Sequence, residues 1–454
     1  MAIEKWLRKN ITIPLFQIHK GASYQKELTF VKSFHQKSEY EIKAYQLAKL
    51  KKLIDHAYAN VPYYYDEWRE IGLEPGDIKS FSDFENIPLL TKTKIRNNAE
   101  RLFSKECRKE QLIKSGTGGT TDSPITIYYS KKRARIKDAE MHYFREWYNW
   151  FIGDKVAFLW GAPQDIPNIS NLKFKLVNRI TDNKLYLFSS FLNNDTMDEF
   201  VKKLNIFKPD ILQGYSNPVH IMADYILKHS VNIHPPKSIV LTAEPCQPSQ
   251  RKTIEKAFNA EVFTFYGCRE GGYVGSECNQ HTGYHINSSS IYMEFVNDRG
   301  KASPGELSNI IFTDLFNYDM PFIRYQIGDL GIPSQEKCAC GSPLPLMKFF
   351  AGRETDVFVT PSGSYVPGVS LCDRIIEDCK GIQQLQFIQN TIDELSVKIV
   401  KGPDYSERDM KQLDERLNYY FKGELNIIKI YVDNIPKERS GKTRFCISNV
   451  SKSI

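Results

Sequence analysis

Between Lys155 and Gly267 the chain alternates short apolar runs with longer amphipathic ones. "KVAFLW", "PDILQGY", "KSIVLTA" and "EVFTFYG" have the length and the β-branched and aromatic content of strands buried on both faces. "DTMDEFVKKLNIF", "PVHIMADYILKHS" and "SQRKTIEKAF" between them carry apolar residues at helical spacing. Strand and helix in alternation over roughly 100 residues leave few solutions. The pattern predicts an open, mostly parallel sheet flanked by helices, with ligands at the carboxyl ends of its strands.

The flanking sequence extends this α/β reading. Ile42, Tyr45, Leu47, Leu50, Ile54, Ala57 and Tyr58 recur at helical spacing from Ser38 to Asn60, and Pro62 ends that run. "IPLLTKTKIRNNAERLF" reads as a loop and a second helix capped by Thr91. "PITIYYS" reads as a strand, and a long helix containing Tyr143, Phe144, Trp147 and Trp150 follows it. "SIYMEFV" and "LSNIIFTDLF" read as a strand pair. Near Gly352 the texture changes to "DVFVT", "QQLQFIQN", "ELSVKIV", a charged helix from Ser406 to Phe421, and "NIIKIYV". The expected architecture is a large domain over residues 1–351, with parallel or mixed sheets, and a small α+β domain over 352–454. The boundary falls at Ala351 to Thr355.

The net charge of +7 suits an anionic small molecule or an anionic membrane surface, and is too weak and evenly spread to argue for nucleic acid. Nine cysteines, an odd number, speak against a disulfide framework and for a reducing cytoplasm. No apolar run of about 18 residues is present. The opening segment carries Trp6, Leu7, Ile11, Ile13 and Phe16 with Lys5, Arg8 and Lys9 nearby. It either packs on the body or rests on a membrane surface.

"KSGTGGTTDS" (Lys114 to Ser123) lacks the Walker spacing, because no lysine follows its glycines. What remains is backbone able to point N–H groups at an anion, with the hydroxyls of Thr117, Thr120 and Thr121. Alone, it is equally a surface turn. "FYGCREGG" puts Tyr266 and Glu270 at the end of a strand, where a ligand would lie; "FIRYQIGDLG" holds Arg324 and Asp329; "AGRETD" sits at the domain junction; "IPKERSGKTRF" puts Lys442 in a glycine-containing loop. "CNQH" and "CAC" offer Cys278, His281, Cys338 and Cys340, a set suited to a closed structural Zn²⁺ site; from spacing alone a reduced, unpaired set fits as well.

In this order, these stretches resemble the adenylate-forming superfamily that includes acyl-CoA synthetases. Nearest is its phenylacetate–CoA ligase branch, and within it the CapK-like proteins of capsular polysaccharide loci. The resemblance covers nearly the whole chain and takes in "LKKLIDHAYANVPYYYDEW", "LTAEP" and "FTDLFNYDMPFIRYQIGDLG". It implies an AMP-forming ligase using ATP and Mg²⁺, which adenylates a carboxylic acid and passes the acyl group to CoA or an amine. The small domain would be mobile, with Asp356 at the hinge.

Lys442 would contact the substrate carboxylate and the α-phosphate, and Glu270 would hold Mg²⁺. Thr117, Gly118, Gly119, Thr120 and Thr121 would cradle phosphate. Tyr266 would stack on adenine, Gly267 would contact the nucleotide, Asp329 would accept from the ribose hydroxyls, and Arg353 would add a ribose or phosphate contact. Glu244 would lie near the acyl pocket or the nucleotide, and Trp160, Gln213, Gly214 and Tyr215 would line the acyl pocket. The matching Cys/His arrangement in members of this branch favours zinc.

Two departures stand out. Asp122 replaces the glycine usual after the paired hydroxyls, where a carboxylate would repel phosphates, and Arg269 stands where a small or hydroxyl residue is common. The resemblance therefore leaves room for an adenylyltransferase resembling coenzyme F390 synthetase, or for a nucleotide-binding homologue without turnover.

Overall fold

The computed structural model describes residues 2–19, 23–116, 125–160, 172–181, 183–188, 194–353, 357–363, 365–367, 371, 375, 379, 381–436 and 444–450. Thr117, Gly118, Gly119, Thr120, Thr121, Asp122, Asp356 and Lys442 lie outside the described residues.

Twelve of the described strands form one mixed sheet. In chain order they are β3 (Val156–Trp160), β4 (Lys184–Phe188), β5 (Ile211–Tyr215), β6 (Ser238–Thr242), β7 (Glu261–Cys268), β8 (Gly272–Glu277), β9 (Tyr284–Ile286), β10 (Ile291–Asn297), β11 (Gly300–Lys301), β12 (Ser308–Asp314), β13 (Tyr325–Ser334) and β14 (Leu346–Arg353). They follow β1 (Ile113–Gly116) and β2 (Thr126–Tyr129), an antiparallel pair.

The spatial order is β11-β10-β12-β13-β14-β9-β8-β7-β6-β5-β3-β4. From β4 to β7 every pairing is parallel. β7 is where the direction changes: residues 261–264 pair parallel with β6, and residues 265–268 pair antiparallel with β8. The alternating region is thus parallel as expected, up to a strand that opens an antiparallel half.

The central parallel strands β5 and β6 are buried on both faces. One face packs Leu159, Leu212 and Leu241 against Val219, Met222, Ile254 and Phe258 from the helices Ser216–Lys228 and Pro248–Phe258. Gly214 lies on this face, and only glycine fits there: a Cβ would meet Val219 Cγ2 at 2.7 Å. The other face packs Ile211, Val240 and Phe263 against Phe144 and Tyr148, at the end of the helix Lys131–Trp147.

Local signals set several boundaries. Ser38 and Glu41 form a capping box at the start of the helix Glu39–Asn60. Pro62, which ends that run, occupies the first turn of the next helix, Pro62–Glu70, where its missing N–H costs nothing. Thr91 caps Lys92–Asn97, shorter than the sequence suggests.

The smaller C-terminal region has its own layers. β17 (Ile382–Thr391), β18 (Glu394–Lys401), β19 (Asn426–Tyr431) and β20 (Cys446–Ser448) form a sheet in the order β19-β18-β17-β20. β15 (Val357–Val359) and β16 (Tyr365–Pro367) pair before it. The helix Glu407–Phe421 buries Leu413, Leu417 and Phe421 against Leu385, Phe387, Leu395 and Val397. The described residues contain no helix long and apolar enough to cross a membrane.

Candidate active site and cysteine–histidine cluster

The change of direction at β7 creates the site. The strand bulges between Tyr266 and Gly267 and turns back through Arg269, Glu270 and Gly271 into β8. Glu270 sits at that hairpin tip and is buried. Its Oε1 accepts from the Tyr325 hydroxyl at 3.1 Å. Burial pushes the Glu270 carboxyl above its ordinary pKa, while Tyr325 and the charge of Lys92 pull against that shift. Asp329 Oδ2 accepts from the Tyr266 hydroxyl at 2.8 Å. Burial, then the Asp329 charge, hold Tyr266 well above the ordinary phenol range, so it stays a donor. The structure therefore brings together Glu270, Tyr266 and Asp329, and the backbone of Arg353 pairs with that of Asp329 across β13 and β14.

Two cations here escape the sequence reading. Lys92 opens the helix that follows Thr91, and its ammonium lies beside Gly328. It is carried there by a short parallel bridge, in which Leu90 N–H donates to the Arg324 carbonyl and Gln326 N–H donates to the Leu90 carbonyl. Lys137 donates to the carbonyls of Arg269 at 3.0 Å and Glu270 at 2.8 Å, and lies 4.2 Å from the centre of the Tyr129 ring. Burial pushes its pKa down to about 8.

A third, Arg133, is wholly buried. It pairs with Asp314 at 2.7 Å and Glu140 at 3.3 Å, and donates to the Gly271 carbonyl at 3.0 Å. The Glu270 turn is thus fixed from the helix Lys131–Trp147. "KKRARIKDAE" holds both Arg133 and Lys137, four residues apart on one face, which is the only local signal for them. Arg324 is structural: it pairs with Glu294 at 2.9 Å and donates to the carbonyls of Glu85 and Ile87.

The remaining residues divide. Trp160 and Tyr215 meet at 4.6 Å between ring centroids on the face that also carries Gln213, whose Oε1 accepts from Arg145 at 3.0 Å. Gly214 is on the opposite face, against Val219. Glu244 lies just past β6, and its Oε2 accepts from the Asn217 N–H at 3.1 Å, so it sits at the N-terminus of the helix Ser216–Lys228. Phe445, three residues after Lys442 in sequence, is held to β17: Phe387 N–H donates to its carbonyl at 2.7 Å.

The cysteine–histidine cluster differs from the expected set in one member. The ligand atoms of Cys278, His285, Cys338 and Cys340 all lie within 4.8 Å of one another. Cys278 Sγ is 3.5 Å from Cys338 Sγ, and Cys340 Sγ is 3.4 Å from His285 Nε2. His281 is elsewhere. Its Nε2 meets Glu261 at 3.0 Å and its Nδ1 meets Glu277 at 3.2 Å. The reason is local. His281 lies in a turn with φ +51°, which aims its ring along β7, whereas His285 lies in β9 opposite Leu346 of β14. Three thiols and an imidazole at this spacing fit a tetrahedral ion, for which sulfurs about 3.8 Å apart are expected. Burial pushes His285 down to about 4, leaving the neutral ring a ligand needs. The cluster ties β8 and β9 to the β13–β14 connection.

Comparison with known proteins agrees with this architecture. Residues 358–449 match the CapK C-terminal domain family. Protein CapK of Staphylococcus aureus is 28% identical over 378 residues, covering 81% of each chain. A phenylacetate-coenzyme A ligase of Thermus thermophilus is 23% identical, covering 83% of this chain and 85% of the relative. The crystal structure of 2-hydroxyisobutyryl-CoA ligase in the postadenylation state superimposes with a TM-score of 0.75 at 18% identity, covering 92% of this chain and 91% of that one, so the fold is shared. Over most of its length the chain is therefore similar to CapK and to phenylacetate-coenzyme A ligases, and it shares the fold of an acyl-CoA ligase.

Proposed function

We propose that this protein activates a carboxylic acid as its acyl-adenylate and transfers the acyl group to CoA or an amine, in the assembly of surface polysaccharide. The observation that carries the first step is the convergence of two carboxylates at the carboxyl end of β7. Glu270 is held by Tyr325 and Asp329 by Tyr266, with Lys92 alongside. The likeness to CapK supports the setting.

In this reading the acid's oxygen attacks the α-phosphorus in line and pyrophosphate leaves. Negative charge grows on the non-bridging oxygens, so fixed cations there lower the barrier. Lys442 supplies one, and Lys92 faces the departing phosphates. Asp329 accepts from the ribose hydroxyls, and Arg353 adds a contact from the neighbouring strand. Tyr266, oriented by Asp329, borders the adenine beside Gly267. Glu270 holds Mg²⁺, a hard cation suited to carboxylate and phosphate oxygens, which would neutralise charge on the triphosphate. Trp160, Gln213 and Tyr215 border the acyl group. Zn²⁺ at Cys278, His285, Cys338 and Cys340 would be structural, since four protein ligands leave no open position.

Carboxylate-dependent exchange of pyrophosphate into ATP tests the reading, with a panel of acids as substrates. No exchange with any acid, in protein that still binds ATP, would refute it. Trapping with hydroxylamine separates an acyl-adenylate from AMP left on a hydroxyl.

A further inference from the structure

Residues 2–19 run as one helical rod: Ala2–Leu7 is α-helical, Arg8–Thr12 is wound as a π-helix, and Ile13–His19 returns to α. Its amphipathicity is the reverse of that expected of a surface helix. The polar side faces the protein. Lys5 ion-pairs with the buried Asp154. Arg8 donates to the Gly153 carbonyl through Nη2 at 3.0 Å, and Thr12 donates to the Ile180 carbonyl. The approach is close, since a Cβ on Gly153 would meet the Lys5 carbonyl oxygen at 2.9 Å.

The apolar side faces out. Ile3, Leu7, Ile11, Leu15 and Ile18 recur at four- and three-residue steps and are all exposed, with Trp6 beside them; Ile3 is 75% exposed and Ile18 67%. A surface helix ordinarily turns such a stripe inward. The π segment keeps it in line. Four-residue steps drift around an α-helix of 3.6 residues per turn, and the wider π turn takes up the drift. The neighbouring helix Leu172–Ile180 widens the patch with exposed Leu176 and Ile180. Lys9, Lys175 and Arg179 stand exposed around it, against Glu4 on the rod.

We propose that this face seats on an anionic lipid surface, its stripe at the acyl boundary and Lys9, Lys175 and Arg179 among the headgroup phosphates. The charge decides between lipid and a second copy. Two copies meeting through this face would set basic rims against each other, whereas anionic headgroups neutralise them. The inference is independent of the adenylation reading.

The test is co-sedimentation of the full chain with vesicles of phosphatidylglycerol and phosphatidylcholine, and with phosphatidylcholine alone. Wild-type protein is expected to pellet with the anionic vesicles, less so at high salt. Leu15→Glu with Ile18→Glu should lower the bound fraction about tenfold or more. Lys175→Glu with Arg179→Glu should lower it on anionic vesicles only. All of these positions are exposed, so thermal midpoint and pyrophosphate exchange should stay at wild-type values. Wild-type protein left in the supernatant with both vesicle types would overturn the proposal, whatever the variants do. So would binding indifferent to Leu15→Glu with Ile18→Glu, or a stripe-dependent dimer in sedimentation velocity that ignores vesicles.

Discussion

Tyr325 and Glu270, 55 residues apart in sequence, meet at 3.1 Å with the phenol donating to the carboxylate. The glutamate proposed to hold magnesium is therefore oriented by protein before any ligand arrives. It is also buried, and burial dominates its ionisation.

The sign of the resulting pH dependence follows. A carboxyl whose folded pKa lies above its unfolded value favours folding when protonated, and that contribution is lost as pH rises through the folded value. In ligand-free protein, Glu270→Gln should raise the thermal midpoint at about pH 8 and change it little near pH 4. Pyrophosphate exchange in the same variant should fall by about 10²-fold. Scanning calorimetry at the two pH values checks the first expectation; a midpoint that drops at the higher pH would contradict it.

Tyr266→Phe removes the donor to Asp329 and leaves the ring. We expect KM for ATP to rise about tenfold, the size of one hydrogen bond to a charged group, with kcat less affected. A fall confined to kcat would mean that Tyr266 acts on the reacting atoms instead.

The two histidines near the cysteines can be told apart. Protein purified without chelator should carry about one equivalent of zinc by elemental analysis, four ligands serving one ion. His285→Ala and Cys338→Ser should lose it together with thermal stability, while His281→Ala should keep it. Retention in His285→Ala with loss in His281→Ala would reverse the assignment.

Arg133→Ala strands Asp314 and Glu140 in the interior. The expected cost is about 3–5 kcal/mol, because breaking a buried pair leaves its partner charge unsolvated. Arg133→Lys should recover part of the stability but less of the exchange activity, since one ammonium cannot span Asp314, Glu140 and the Gly271 carbonyl together.

Lys442→Ala should slow adenylation by about 10²–10³-fold with ATP affinity largely kept. Equilibrium binding of ATP, measured beside pyrophosphate exchange, separates the two.

What the sequence disclosed was what lies close along the chain. The buried strands announce themselves because both faces are covered: "SIVLTA" is apolar or small throughout, and Gln213 is the one long polar side chain in "ILQGY". Ser38 and Thr91 act on N–H groups three residues away, well within a local pattern. Lys92 and Arg133 were not legible, because what makes them matter lies far off: Arg133 meets Asp314 across 181 residues, and only the folded sheet joins them. The sequence pattern "CNQH" points to His281, which stands close to Cys278 along the chain. Strand geometry favours the other: Tyr284 reaches Thr264 on one side of β9, so His285, its neighbour, points to the opposite side and Cys340. Gly214 was read as lining a cavity, yet its missing side chain admits a helix.

The position of β14 has a bearing on synthesis. It inserts between β9 and β13, so as a ribosome delivers the chain from its N-terminus, those two strands wait with open edges until residues beyond 345 emerge. Cys338 and Cys340 emerge just before β14 and must find Cys278 and His285 at that gap. An ion captured there would act as a clasp that guides the last central strand home, making metal supply during translation a determinant of how much protein escapes aggregation.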